Sequence, residues 1–371
     1  MHTIPKRYEH IDAMRALAVM LVVLSHAGLG HLIPGGSGVT LFFSISGFII
    51  THLLIREYGK TGAFSISEFY RRRVRKLAPP LVLIVVIPTL VYSLWHSINW
   101  TAFAGQVFFF YNWQVIAGDS QPVLPGSGVT WSLSIEEQFY IAFAIVWITI
   151  LRAGYRPLRV LAGVAMGAVI SSTAIRLLLA MEVSSEISER IVFGSDTRID
   201  GIAWGVLAAI ALHRWVDGTG VPSRVQTLVQ HDIALIVAVG MYLVSVLIRD
   251  DFFRDSLRFT FQSLAACIVI LYGFGHRDTL VRKVFTSLCH LRAVQLIGLA
   301  SYSIYLVHLS LTKAVESLVS DLDPGIAIPL AVLLSTTVGI TVYRYVELPI
   351  QRRSQRAAMK HHRVLLSGEQ A

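Results

Sequence analysis

The feature that most limits this chain is a series of apolar blocks that recur along nearly all of its 371 residues. Each block is about 16–22 residues long, the length that an α-helix needs to cross roughly 30 Å of hydrocarbon. We therefore predict an all-α integral membrane protein with about ten transmembrane helices. The predicted spans are 13–31, 38–55, 79–96, 131–151, 158–180, 200–213, 232–248, 259–275, 295–314 and 325–343.

Lysine and arginine are spread unevenly over the segments between these spans. Most of the 32 Lys and Arg residues fall in 1–12, 56–78, 152–157, 214–231, 276–294 and 344–371. By the positive-inside rule these segments are cytoplasmic, which predicts a multi-pass protein of the cell (inner) membrane with both termini in the cytoplasm. The same rule explains the net charge of +9, and because no arginine-rich tract is interleaved with aromatic residues on a polar helix, we expect no nucleic-acid partner. We divide the chain into a transmembrane domain, 1–345, and a basic cytoplasmic tail, 346–371.

The segment WTAFAGQVFFFYNW, residues 100–113, is apolar and aromatic but does not fit this charge pattern. A crossing here would move Arg152, Arg156 and Arg159 to the outer side. Because aromatic residues favour the membrane boundary, we predict a short interfacial or re-entrant helix on the outer side.

The sequence GSGVT occurs twice, at 36–40 and 126–130, each time just before a span that starts on the outer side. One interpretation is a helix start used twice, with glycines for a tight entry and small polar groups for the first free amides. The alternative is two helix N-termini that face one cavity and hold an anionic group.

Arg15 and His26 stand in one apolar run, RALAVMLVVLSHAG. Their spacing corresponds to about three helical turns, so they share a face and lie about 16 Å apart along the axis. Each has an ordinary explanation, since Arg15 could reach lipid headgroups and His26 could hydrogen-bond another helix. Two costly residues on one face favour a lined pathway, with Arg15 towards the cytoplasm.

Glu136 and Glu137 lie within the fourth span, in WSLSIEEQFY. Adjacent helical residues point about 100° apart, so we expect only one carboxylate in the cavity and favour Glu136. The alternative is a structural ion pair, because an unpaired buried carboxylate is costly.

Two further motifs place polar residues on other spans, GSDTRIDG at 194–201 and SYSIYLVH at 301–308. Salt bridges within the first motif, or a packing role for the histidine of the second, would also account for them. The candidate substrate-binding residues are Trp131, Ser132, Asp196, Arg198, Asp200, Tyr302 and His308.

The motif FYRRRVRKLAPP, residues 69–80, places five basic residues at the start of the third span. Such a cluster is common as a positive-inside stop that contacts lipid phosphate. It also suits recognition of a phosphorylated cytoplasmic ligand, for which arginine offers bidentate geometry.

Six motifs in order resemble the acyltransferase-3 family of membrane-bound O-acyltransferases, from about residue 8 to about 345. They are YEHIDAMRALAVMLVVLSHAG, GVTLFFSISGFIITHLL, FYRRRVRKLAPPL, TWSLSIEEQFY, SDTRIDGIAWG and SYSIYLVHLSL. The resemblance implies acyl transfer, commonly of acetyl from acetyl-CoA, to a hydroxyl of a glycan or a related acceptor. It implies that His26 is the essential histidine and Arg15 its partner. The residues implied in CoA binding are Arg72, Arg73, Arg75 and Lys76.

The basic pair is ambiguous, because Arg73 and Lys76 fit when the motif is aligned from Pro79, whereas Arg72 and Arg75 fit the Arg-x-x-Arg spacing. Some members of this family carry a fused SGNH domain. We expect none after residue 345, so a second transfer step would need a separate periplasmic transferase.

The residues and the resemblance combine in one mechanism. Acyl-CoA docks its phosphates on 72–76 and Arg15, and its thioester reaches His26. Histidine has an ordinary pKa of about 6.5, which suits a general base, although His26 could instead be acylated and relay the group. Glu136, or an acid of 196–200, would orient the imidazole or bind the sugar. We expect acyl-CoA as a co-substrate, no permanently bound cofactor and no metal.

The competing class is a transporter or flippase, in which buried charges line a substrate path without chemistry. Such a protein is often built from inverted repeats with broken spans. The paired GSGVT is the one internal repeat that we find.

Overall fold

The computed structural model describes residues 7–154, 156–182, 184–218, 223–318 and 323–353. These residues are mostly helical and contain no strand, as expected because a helix pairs its own amides where water is absent. The helices are α1 Glu9–Leu24, α2 Gly35–Thr61, α3 Ile66–Leu81, α4 Ile87–Tyr92, α5 Trp100–Phe108, α6 Tyr111–Ile116, α7 Thr130–Arg152, α8 Pro157–Leu179, α9 Ser185–Phe193, α10 Ser195–Val216, α11 Ser223–Gln230, α12 Asp232–Leu247, α13 Asp251–Asp255, α14 Arg258–Tyr272, α15 Leu280–Cys289, α16 Arg292–Leu318 and α17 Pro324–Val342. Short π-helical or 3-10 turns cover Ser25–Leu29, Val82–Val86, Ser127–Val129 and Tyr343–Glu347.

Each predicted span coincides with an apolar helix of the structure. Eight helical stretches of the described residues are long and apolar enough to cross a membrane by themselves. Helix α12 reaches the required length together with α11, to which it is bent by 71°, and α14 is shorter, with 15 residues. The prediction of an all-α, multi-pass membrane protein is confirmed.

The aromatic segment 100–113 forms two short helices, α5 and α6, as predicted for a segment that does not cross. Phe109 separates them in a left-handed conformation, with φ at 61°. The nine residues of α5 extend about 14 Å, less than half of the hydrocarbon thickness.

The centre of the bundle is the contact between α2 and α10. Gly47 of α2 lies against the backbone of Ile202, and Gly205 of α10 lies against the backbone of Ser44. A side chain at either glycine would collide with the opposite helix, so small residues permit this close approach. Helix α1 packs against α2 on one side and α16 on the other.

The two ends of the bundle differ in charge, and we name them by their residues. The basic end holds Arg7, Arg56 and the cluster 71–76, and the histidine end holds His26 and Gly35. Helix α1 runs from the basic end to the histidine end, and α2 returns.

The last span continues beyond α17 as a helical stretch to Arg353. Within it Glu347 is buried and accepts a hydrogen bond from Ser303 of α16. The part of the predicted basic tail that follows, 354–371, lies outside the described residues.

Candidate active site

A cavity of about 140 Å³ opens among α1, α2, α3, α7 and α16, and we call it the basic-end cavity. Its polar lining residues are Arg15, Ser46, Arg73, Lys76, Ser132, Glu136, Tyr140, Ser301, Tyr302 and Tyr305. Residues from five helices that are far apart in sequence therefore meet in one space.

The two arginines of this cavity are fixed by neighbouring side chains. Arg15 donates from Nε to Ser301 Oγ over 3.1 Å. Arg73 pairs with Glu137, and its guanidinium carbon lies 3.2 Å from the centre of the Tyr140 ring. An ion pair combined with ring stacking holds a planar guanidinium in one orientation.

The adjacent glutamates have different roles. Glu137 forms the ion pair with Arg73, whereas Glu136 lines the cavity and accepts hydrogen bonds from Ser46 Oγ at 2.9 Å and the Tyr140 hydroxyl at 3.4 Å. The structure gives Glu136 no contact with His26, so it does not orient the imidazole.

The basic motif contributes two of its side chains to this cavity. Arg73 and Lys76 line it, whereas Arg72 and Arg75 do not. Arg72 instead forms a 2.7 Å ion pair with Glu57. Of the two pairs that the sequence left open, the one aligned from Pro79 faces the cavity.

A second cavity, of about 400 Å³, lies at the histidine end, and we call it the acceptor cavity in anticipation of the role that we propose for it. His26 and Trp131 line it, together with Tyr111 of the short helix α6. Gly36 and Gly128, one from each GSGVT segment, also line it. The repeat therefore brings two helix starts to one space, which is the geometry of the second interpretation.

The hydrogen bonds of His308 assign the tautomer of His26. His308 is fully buried, and its Nδ1 lies 2.6 Å from the Tyr305 carbonyl oxygen, which can only accept. Nδ1 of His308 therefore carries the proton and its Nε2 is an acceptor. His26 Nδ1 lies 3.2 Å from that Nε2 and 3.0 Å from the Val22 carbonyl, so it is the donor to both.

This assignment leaves Nε2 of His26 with a free lone pair. The His26 side chain is accessible in the acceptor cavity. A neutral imidazole that is held through its other nitrogen is suited to accept a proton from a bound hydroxyl.

The two cavities have two lining residues in common, Val39 and Tyr305. The Tyr305 hydroxyl donates to the Val129 carbonyl over 3.1 Å and accepts from Ser132 Oγ over 2.7 Å. Val39 and Tyr305 therefore form the boundary between the cavity of Arg15 and that of His26.

Four of the predicted substrate-binding residues belong to this constellation. Trp131 lines the acceptor cavity, and its ring meets Phe193 edge-on with 4.9 Å between the centroids. Ser132 and Tyr302 line the basic-end cavity, and His308 contacts His26.

The motif GSDTRIDG lines neither cavity. Asp196 pairs with Arg190 at 2.5 Å, and Arg198 donates to Thr40 Oγ1 over 2.9 Å. Asp200 is fully buried and forms an ion pair with Arg176 at 2.6 Å. Each of the three side chains is bonded to another helix and none lines a cavity of the site, so we leave Asp196, Arg198 and Asp200 out of the proposed site.

Sequence reasoning missed Arg176 and Ser301. Arg176 lies inside the apolar span α8, and a charged residue at such depth signals a buried partner on another helix. Ser301 opens the motif SYSIYLVH, but nothing in the sequence indicates that it meets Arg15. Among the described residues, no group of three or more His, Cys, Asp or Glu side chains is arranged to hold a metal ion.

The chain matches the family model described as acyltransferase domain over residues 8–344. The O-acetyltransferase OatA of Staphylococcus aureus, in strains NCTC 8325 / PS 47 and COL, is 28% identical to it over 365 residues. The alignment covers 95% of this chain and 58% of the relative, so the chain spans little more than half of the length of these proteins. No solved structure matches.

Proposed function

Because the chain belongs to the acyltransferase-3 family, we propose that it transfers an acyl group, acetyl in the first instance, from acyl-CoA to a glycan hydroxyl. OatA, its relative, is named as an O-acetyltransferase. The observation that carries the proposal is the exposed imidazole of His26, which lines a cavity that adjoins the arginine-lined one.

The basic-end cavity is proposed as the binding site of the donor. CoA carries several phosphates, and Arg73, Lys76 and Arg15 offer positive charge at the cavity wall. Lys76 makes no hydrogen bond or ion pair within the described chain, so its ammonium is available to a ligand. We place this end in the cytoplasm because the basic residues cluster there.

The pantetheine arm would extend from this end along α1 towards Val39 and Tyr305. At that boundary a thioester would meet the acceptor cavity. The acceptor hydroxyl would then approach from the histidine end, with Trp131 as an aromatic face for a sugar ring.

His26 acts in this scheme as the general base. Nε2 takes the proton of the acceptor hydroxyl, and the oxygen attacks the thioester carbonyl. The carbon–oxygen bond forms, the carbon–sulfur bond breaks, and the thiolate of CoA leaves with the proton returned by His26. An acyl relay would use the same lone pair, with the acyl group first bonded to Nε2.

His308 is proposed as the positioning residue of this base. Its Nε2 accepts from His26 Nδ1, which keeps the basic lone pair on the nitrogen that faces the cavity. Glu136, which the sequence offered for this role, is proposed instead to face the CoA arm with Ser46.

The test uses the purified chain in nanodiscs with labelled acetyl-CoA and a mixture of surface-glycan oligosaccharides, analysed by mass spectrometry. We expect labelled product from the wild type and a fall of about 10²- to 10⁴-fold for His26→Ala. His96→Ala is the matched control, because His96 is an exposed histidine that stacks on Tyr92 away from both cavities.

Unchanged transfer by a folded His26→Ala variant would remove the base. Movement of an unmodified glycan across the membrane, without any labelled product, would indicate the transporter class instead.

A further inference from the structure

A third cavity, of about 470 Å³, lies at the histidine end beside the acceptor cavity. Arg249, Arg254 and Arg258 line it, as does His31. The arginines come from the segment between α12 and the first residue of α14, and His31 comes from the loop before α2. This cavity, which we call the arginine cavity, is therefore built from two separate parts of the chain.

No carboxylate of the described residues lines the arginine cavity. Arg254 has a loose ion pair with Asp251 at 3.5 Å, and Arg258 lies over the Phe259 ring at 4.8 Å. The described residues provide no hydrogen bond or ion pair for Arg249. Three like charges that share a cavity with so little compensation repel one another, and an anion would relieve that repulsion.

Other carboxylates near this segment are already used. Asp250 accepts from the Phe253 amide at the start of α13, and Asp255 accepts from Ser188 Oγ. Neither carboxylate lines the cavity, so the charge of Asp255 acts on Arg258 from outside it, and the three arginines are the charged groups of the lining.

A second observation points to a ligand in the same space. Gln262 is 2% exposed and lines the cavity, yet its Oε1 has no hydrogen-bond partner within the described chain. A buried unpaired acceptor is costly unless a ligand supplies a donor. A sugar hydroxyl would be such a donor.

The arginine cavity adjoins the acceptor cavity, which contains His26. Gly35 and Gly36 line both of these cavities, and Ser25, the neighbour of His26, lines the arginine cavity. Gly36 is exposed with open space beside it, and α2 begins there without a side-chain cap. The amides of Gly35 and Ser37 donate to the Ile33 and Pro34 carbonyls, and the Gly36 amide between them adds to the attraction for an anion.

We propose that the arginine cavity is a subsite for an anionic group of the acceptor glycan, a carboxylate or a phosphate. This group would lie next to the hydroxyl that is acylated. The inference rests on the proposed function, since it assigns the substrate class of the same site. It predicts that the enzyme prefers acidic sugars, whereas a neutral glycan leaves the three arginines uncompensated.

A lipid phosphate at the membrane surface has the same chemistry as an acceptor phosphate. The experiment therefore compares nanodiscs of pure phosphatidylcholine with nanodiscs that contain anionic phosphatidylglycerol.

The probes are two labelled tetrasaccharides of equal length, a hyaluronan fragment with carboxylates and neutral chitotetraose. Binding to the full chain is measured without acetyl-CoA. In phosphatidylcholine nanodiscs we expect the acidic tetrasaccharide to bind about tenfold more tightly, as hydrogen bonds to charged groups would give.

Arg249→Gln combined with Arg254→Gln is the principal variant, because both side chains are exposed and the one ion pair that they make among the described residues, Arg254 with Asp251, is a loose one. The preference should fall to about twofold or less in this variant and return when lysine replaces both arginines. Lys313→Gln removes a charge at the histidine end but outside the arginine cavity, so this variant should keep the preference for the acidic tetrasaccharide.

Equal affinity for both tetrasaccharides in the wild type would overturn the proposal. So would a preference that survives the double substitution. Arginine-dependent retention of phosphatidylglycerol, without a preference for the acidic sugar in phosphatidylcholine, would assign the cavity to lipid. His26→Ala should keep the binding preference while losing transfer, so failure of the subsite and failure of the proposed reaction give different results.

Discussion

The two ends of the molecule handle charge in opposite ways. At the basic end, Arg73 is paired with Glu137 and Arg15 is bonded to Ser301, so these two guanidinium groups are held in one geometry before any ligand binds. At the histidine end, the described residues give Arg249 no partner, Arg254 only a loose one and the buried Oε1 of Gln262 no hydrogen bond.

The difference fits the two substrates that we propose. The donor always carries the same CoA group, and a preorganised site lowers the cost of binding a constant ligand. The acceptor supplies its own charge and hydroxyls, and it completes a site that is unsatisfied without it. The proposed donor site is therefore preorganised, whereas the proposed acceptor site is completed by its ligand.

The largest effect is expected at His308, which is hydrogen-bonded to Tyr305, at the boundary of the two cavities, and to His26. His308→Ala should lower kcat by about 10- to 100-fold, because His26 loses the acceptor that fixes its tautomer. His308→Gln should retain more activity, since its amide oxygen can accept from Nδ1. The pH profile of kcat should shift in the alanine variant, which a merely structural role would not produce.

Equal loss in both His308 variants, as complete as in His26→Ala, would mean that His308 itself reacts. Full activity of His308→Ala would refute the tautomer assignment.

The donor end is tested by removing a complete ion pair. Replacing Arg73 and Glu137 together by glutamine avoids leaving one charge unpaired, and should raise the KM for acetyl-CoA by about tenfold. The KM for the acceptor should not change. If Arg73 contacts the 3′-phosphate, the double variant should lose less affinity for acetyl-dephospho-CoA, which lacks that phosphate, than for acetyl-CoA.

Arg72→Ala is the control, because Arg72 belongs to the same motif but pairs with Glu57 outside the cavity. We expect a KM within about twofold of the wild type. A larger effect at Arg72 than at Arg73 would favour the other basic pair.

The smallest effect is expected at the boundary between the cavities. Val39→Ala should raise the activity with butyryl-CoA relative to acetyl-CoA by about threefold, because methylene-sized changes in a pocket discriminate weakly. Val115→Ala, which widens the acceptor cavity alone, should leave that ratio unchanged. Equal shifts in both variants would show that Val39 does not separate the two sides.

The sequence predicted the fold well because membrane crossing depends on local properties. Apolar length placed a helix at every predicted span, and charge excluded a crossing at 100–113. The shared face of Arg15 and His26 led to the idea of a pathway, and the structure locates each of them in one of two adjoining cavities. All these inferences use spacing within one helix.

The pairing of residues from different helices was beyond such reasoning. Glu136 and His26 are both polar residues inside the membrane, but nothing in the sequence states that they line different cavities. Asp200 looked like a ligand-binding acid because its partner, Arg176, lies 24 residues earlier on another helix. The choice between Arg73 and Arg72 likewise needed the face that α3 turns inward.

The close contact of Gly47 and Gly205 has a consequence for movement. Helices joined backbone to backbone have no side-chain layer that could repack, so α2 and α10 would move as one body. About 67% of the apolar window of α2 is buried, against 28% for the stretch Ile66–Tyr92 that carries Arg73 and Lys76. Any opening that admits the proposed donor should therefore come from that outer stretch rather than from α2, with the Arg73–Glu137 pair re-formed on closing.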